Sequence, residues 1–184
     1  MKITRRIALL LTFLLSLTAA LPALAAEPKI VKISAGYHHV LALADNGDLY
    51  AWGRNEFGEV GNGTTKIQNT PVLIGSGFSD IAAGYRYSLA LKESSLYAWG
   101  YNNFGQLGDG TKTTRTIPLF IGSGFSAIAA GHDHSLGLKG SSLYAWGANY
   151  HGCLGDGTTT DRTAPTLIDS GFPPSPQGKV ILWH

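Results

Sequence analysis

The chain contains a single cysteine, Cys153, in 184 residues. No intramolecular disulfide can form, so the fold rests on noncovalent packing. Cys153 occupies the place of Glu59 and Gln106 in related segments and reads as a loop residue. Beyond the N-terminal segment no stretch is apolar enough to cross a bilayer. There is no basic stripe, and so no expected nucleic-acid partner. A sustained apolar stripe of helical period is also missing. No serine stands in a recognisable arrangement with a base and an orienting acid. The Asp109 and Asp156 loops lack the alternating acidic ligands of a calcium loop and read as tight turns. These absences point away from an enzyme and from any cofactor or metal.

What the chain has is repetition. The pentapeptide LYAWG occurs at Leu49–Gly53, Leu96–Gly100 and Leu143–Gly147, with Trp52, Trp99 and Trp146 spaced by 47 residues. Each copy opens on a glycine (Gly36, Gly84, Gly131) and continues through an alternating apolar run to the pentapeptide. An asparagine (Asn55, Asn102, Asn149), a glycine-rich loop and a Thr-rich stretch follow, and the copy closes on SGF. A fixed period of this length marks a copied supersecondary unit. The short apolar runs bounded by turn residues are strands, and Asn46-Gly47 suggests a type I′ hairpin. The expected fold is all-β. Three repeats, about 30–78, 79–125 and 126–172, each form a propeller-type blade of four short antiparallel strands. The tryptophans are expected to pack between neighbouring blades, and the glycines to mark positive φ or close approach.

His132-Asp133-His134 is the most conspicuous polar cluster. It recurs as Tyr37-His38-His39 and Tyr85-Arg86-Tyr87, which suits side chains hydrogen-bonding within the blade better than a metal site. The loops vary where the framework does not, and such loops often line a binding face. The candidate contact residues are Arg54, Tyr101, Asn103, Arg115, Tyr150 and Arg162.

The first 25 residues read as a secretory signal peptide. Lys2, Arg5 and Arg6 form a basic start, Ile7 to Leu21 is almost wholly apolar, and Ala23-Leu24-Ala25 is a small-x-small cleavage site. The Leu-rich core favours the general secretory route over the twin-arginine route. Cleavage would take the 14 basic residues down by three to 11, against 12 acidic ones. The expectation is a secreted or periplasmic protein without a stable membrane anchor. After Phe172 the pattern stops, and residues 173–184 form a divergent tail, in which Val180-Ile181-Leu182-Trp183 reads equally as one further strand or as part of a frayed or foreign end.

The string from Ile128 to Thr158, IAAGHDHSLGLKGSSLYAWGANYHGCLGDGT, resembles a full repeat of the regulator of chromosome condensation family, of bacterial secreted type. The resemblance implies a seven-bladed β-propeller. It does not carry over photoreception, which in one relative depends on a tryptophan after the opening glycine; here that site holds Tyr37, Tyr85 and His132. Three repeats make an arc, with an apolar blade face bare at each end. The expected partner is therefore a protein ligand, or a second copy that completes the propeller. The favoured reading is a secreted, non-enzymatic interaction module. The alternatives are a fragment of a larger multi-repeat surface protein without its own activity, and an envelope polysaccharide hydrolase.

Overall fold

A computed structural model of the chain describes residues 27–170. The expected signal peptide at 1–25 and the expected divergent tail at 173–184 lie outside them. Twelve strands form three four-stranded antiparallel sheets. Blade 1 comprises β1 (Ile30–Ala35), β2 (His39–Ala44), β3 (Leu49–Gly53) and β4 (Gln68–Gly75). Blade 2 comprises β5 (Asp80–Ala83), β6 (Tyr87–Lys92), β7 (Ser95–Gly100) and β8 (Arg115–Gly122). Blade 3 comprises β9 (Ala127–Ala130), β10 (His134–Lys139), β11 (Ser142–Gly147) and β12 (Arg162–Asp169). The described residues thus form a partial propeller. None of them belongs to a helix long and apolar enough to span a membrane.

Strand alternation explains the pentapeptide. Side chains two apart share a face of the sheet, so Leu and Ala look one way and Tyr and Trp the other. Leu41, Leu43, Leu49 and Ala51 of blade 1 meet Ile81, Ala90, Trp99 and Tyr97 of blade 2. Leu89, Leu91, Leu96 and Ala98 of blade 2 meet Ile128, Ala130, Tyr144 and Trp146 of blade 3. Each blade therefore offers leucines forward and an indole backward. Trp99 and Trp146 are 0% exposed. Trp52, which has no described blade behind it, is half-buried.

A shared acceptor fastens each pair of blades. The Glu59 carbonyl accepts from the Trp99 indole N–H at 2.8 Å and from the Ser88 hydroxyl at 2.8 Å. The Gln106 carbonyl accepts from Trp146 at 2.9 Å and from Ser135 at 2.7 Å. Gly61 lets the indole approach: a Cβ there would sit 2.6 Å from Trp99 Nε1, and its φ is +87°. The serines next to His or Tyr are thus structural donors.

Two local expectations change. Asn46 does not take positive φ; only Gly47 does, at 84°. Gly47 N–H donates to the Ala44 carbonyl and Ala44 N–H to Asp48, so Asp45-Asn46-Gly47 is a three-residue loop closed by a left-handed glycine rather than a type I′ turn. The extra residue of the first copy accounts for it. In the His39/Tyr87/His134 slot, the His39 and Tyr87 side chains bond across blades, not within them. His39 Nε2 lies 2.9 Å from Ser88 Oγ, and the Tyr87 hydroxyl donates to the His134 carbonyl. Gly36, Gly84 and Gly131 leave room for these rings, because a Cβ would overlap His39, Tyr87 or His134.

Burial of His39 carries a pH dependence. Loss of water around the ring pushes its pKa down to about 4, from 6.5. The unfolded chain therefore binds this proton first. Stability from this site is complete above pH 6.5 and is lost as the pH falls towards about 4, by up to about 3 kcal/mol. His39→Tyr, which copies Tyr87 of blade 2, is expected to flatten most of that slope. Urea melts between pH 7 and pH 4.5 would measure it, and an unchanged slope would assign the acid sensitivity elsewhere.

Candidate interaction surface

In an antiparallel sheet the β1–β2 turn and the β3–β4 loop leave from the same end. All three blades therefore gather these segments along one rim of the arc. The turns are linked by backbone bonds: Tyr37 N–H donates to the Tyr85 carbonyl at 3.3 Å, and Tyr85 N–H to the His132 carbonyl at 3.2 Å. This spacing stacks the side chains. Tyr37 and Tyr85 have ring centroids 4.4 Å apart, and Tyr85 and His132 stack at 3.8 Å. The His132 ring is held by the Asp133 carboxylate at 2.6 Å.

A second row comes from the long loops. Phe57 meets Tyr101 at 4.9 Å, Tyr101 meets Phe104 at 6.3 Å, Phe104 meets Tyr150 at 6.5 Å and Tyr150 meets His151 at 4.5 Å. The Arg86 guanidinium joins the rows, 4.8 Å from the Tyr85 ring centroid and 5.2 Å from Phe57. Tyr37 and Tyr150 remain 55% and 58% exposed. Between the rows on blade 3, His132, Tyr150, His151 and Cys153 line a hollow of about 210 Å³.

The long loops are held from inside by the repeated asparagine. Asn102 is buried. Its amide donates to Asp109 Oδ1 at 3.1 Å and to the carbonyls of Thr111 at 3.1 Å and Thr113 at 3.0 Å. Its carbonyl accepts from Leu107 N–H at 3.0 Å. Asn55 and Asn149 make the same set. Asp109 in turn accepts from Thr111 N–H at 2.9 Å and from Arg115 Nη2 at 2.7 Å. Burial works to raise the Asp109 pKa, but the Thr111 and Arg115 bonds outweigh it and hold it below the usual range. Asp156 is held at about 2, first by the Thr158 hydroxyl, with Arg162 adding to it. Among the described residues no three His, Cys, Asp or Glu side chains gather as a metal site.

The candidate contact residues therefore fall into two sets. Tyr101 and Tyr150 stand in the second aromatic row. Asn103 is exposed on the same loop, and Arg54 lies on the rim, paired with Glu56. Arg115 and Arg162 instead clamp Asp109 and Asp156 at the loop base. The framework residues Gly36, Gly84, Gly131, Trp99 and Trp146 act between strands and blades. The sequence had not singled out Tyr37, Tyr85, Arg86, Phe57 and Phe104 as contact residues. The signal was an aromatic or imidazole ring recurring directly after each opening glycine.

Comparison with known proteins gives a consistent picture. A profile of the regulator of chromosome condensation (RCC1) repeat matches residues 46–91, 93–138 and 141–181. A second profile of the repeat matches residues 30–59 and 78–106. The first two matches of the first profile run from the third strand of one blade to the second strand of the next, so the sequence unit straddles the blade interface. Prp20p from Saccharomyces cerevisiae superposes with a TM-score of 0.70 at 24% identity, over 76% of this chain and 38% of that one. The yeast RCC1 (Prp20) structure with Kap60 gives 0.66 at 29% identity, over 80% and 37%. The human E3 ubiquitin-protein ligase HERC2 is 41% identical over 66 residues, 34% of this chain and 1% of that protein. The ultraviolet-B receptor UVR8 of Arabidopsis thaliana is 40% identical over 70 residues, 35% and 16%. The chain thus spans well under half the length of these relatives.

Proposed function

This chain belongs to the regulator of chromosome condensation repeat family, and from that premise we propose that it is an exported, non-enzymatic module that binds a protein partner through its aromatic rim. The observation that carries the proposal is the double row of rings joined by Arg86. Tyrosine and arginine are enriched among the residues that dominate binding energy at interfaces. Here they are lined up by the framework before any partner arrives, which lowers the ordering cost of association.

The relatives support a binding role in general terms. The yeast protein Prp20p is described by its binding to Gsp1p and histones, and in another structure it is bound to Kap60. Partners differ with the surface that a shared fold presents. Export rests on the N-terminal motif, with its basic start, apolar core and Ala23-Leu24-Ala25. An exported chain would meet envelope or extracellular proteins first.

The test uses the purified chain, cross-linked to an envelope protein fraction, and a variant carrying Tyr37→Ser and Tyr150→Ser. Both tyrosines are more than half exposed and touch only other rim rings, so the thermal melt should fall by only a few degrees. The expected result is a defined cross-linked protein whose affinity falls about 30-fold or more in the variant, on the scale of a lost interface anchor. A partner retained equally by both forms would move the binding site off the rim.

A further inference from the structure

The seam between blades occurs twice in the described residues, and its outer side differs between the two. At the blade 2–blade 3 seam the Phe125 ring is 1% exposed. It lies over Gly137 of β10, where a Cβ would come within 2.7 Å of it, and its centroid is 6.1 Å from that of Trp146. The Lys139 ammonium covers it, 4.3 Å from the Phe125 centroid and 5.3 Å from that of Tyr144.

At the blade 1–blade 2 seam the same places are held by Phe78, Ala90, Trp99, Lys92 and Tyr97. Only alanine for glycine is a change of residue. The Ala90 methyl is buried and takes the seat that Gly137 leaves to Phe125. Phe78 is accordingly only half-buried, and its one ring partner among the described residues is Tyr97, at 6.1 Å. Lys92 does not cover it. The Lys92 stem runs against Gly77, where a Cβ would meet its Cε at 2.9 Å.

The displaced ring leaves a cleft of about 530 Å³ between the two blades. Sites for small molecules commonly measure about 300–1,000 Å³ and are mostly apolar with a few polar groups. The cleft is elongated along β4. Lys92 and Phe78 lie at one end, beside Gly77 and Gly75. Tyr97 and Leu73 pair across the middle. Ile117 stands at the other end, where a Cβ on Gly63 would meet it at 3.5 Å. Lys92 is exposed, with no ion pair or ring contact among the described residues. Asp48, near its end of the cleft, accepts instead from Ser76 and Asn46. The far end carries no acid of the repeat: Asn62 stands where the other copies have Asp109 and Asp156.

We propose that this cleft binds a small aliphatic carboxylate of fatty-acid type. The carboxylate pairs with the Lys92 ammonium, and the chain runs over Phe78 and Tyr97 towards Ile117. An unpaired cation at one end of an apolar trough selects an anionic head on an apolar tail over a neutral molecule of the same shape. The site shares no residue with the aromatic rim, and both its walls belong to described blades.

Calorimetric titration of the purified chain with octanoate, and with the neutral octanamide, tests this. The expected result is one saturable octanoate site per chain and several-fold weaker binding of the amide. Lys92→Met keeps the length of the stem and removes the charge, so it should bring octanoate down to the affinity of octanamide. Ala90→Gly should let Phe78 seat as Phe125 does, and lower the affinity for both compounds tenfold or more with an unchanged far-ultraviolet spectrum. The variant carrying Tyr37→Ser and Tyr150→Ser should bind octanoate as the parent does, which separates this site from the rim. Three results would overturn the proposal: no saturable octanoate binding, equal affinity for acid and amide, or octanoate binding unchanged by Lys92→Met. If Ala90→Gly does not fold, the Lys92→Met titration decides alone.

Discussion

Trp99→Ala is expected to lower the unfolding free energy by about 3–5 kcal/mol. The chain then loses a third or more of the stability ordinary for a small domain. Two losses combine. The indole leaves a cavity between Leu41, Leu43, Leu49 and Val60 of blade 1 and its own strand, and the surrounding sheets are too rigid to close it. The hydrogen bond to the Glu59 carbonyl also goes, although Ser88 still satisfies that oxygen. Trp99→Phe keeps most of the packing and should cost about 1–2 kcal/mol. Trp52→Ala, in the same pentapeptide, should cost clearly less in dilute solution, because Trp52 is only half-buried. Urea midpoints at fixed protein concentration would rank the three. Equal losses for Trp52 and Trp99 would mean that each indole acts inside its own blade, contrary to the contacts seen here.

Much of this architecture is legible in the sequence, for a physical reason. Alternation in a strand is a local property, so LYAWG states its own two faces before any partner is known. The closing turns are local too, apart from Asn46-Gly47, where one added residue converts the two-residue turn into a longer loop. The direction of the slot residues is not local. His39 reaches Ser88 and Tyr87 reaches His134 only because the next blade is there, and a unit read alone suggests a bond within the blade.

The arginine clamps show a signal present but unread. Copies two and three pair Asp109 with Arg115 and Asp156 with Arg162, while copy one has Asn62 and Gln68 at both places. The two positions change together, as they would if they touched. Looked at one column at a time, the arginines resemble variable contact residues; looked at in pairs, they are the base of the loop. The rim is harder to see. Tyr37, Tyr85 and His132 lie 47 or 48 residues apart and become a stack only when the blades bring their turns to ring-contact distance.

Asn102→Asp is expected to be as damaging as any substitution in the loops, although it changes no more than an amide to a carboxylate. The amide nitrogen faces three acceptors, Asp109 Oδ1 and the Thr111 and Thr113 carbonyls, at 3.0–3.1 Å. A carboxylate oxygen in its place cannot donate to any of them and stands against the charge of Asp109. The site is buried, so water does not relieve the repulsion, and the expected loss is about 3–5 kcal/mol. Asn102→Ala removes the donors without adding charge and should cost about 2–3 kcal/mol. The two variants should also differ in pH response. The introduced acid is neutralised more readily when folded, and once protonated it can donate one bond again. Its deficit relative to the parent chain should therefore shrink as the pH is lowered, whereas that of Asn102→Ala should stay nearly constant. The loop from 101 to 114 carries Tyr101 and Phe104, so losing its hub should also loosen the second aromatic row and weaken rim binding. Paired urea melts of both variants and the parent at pH 7 and pH 5 would measure this, and parallel deficits at the two pH values would show that the carboxylate does not face the Asp109 cluster.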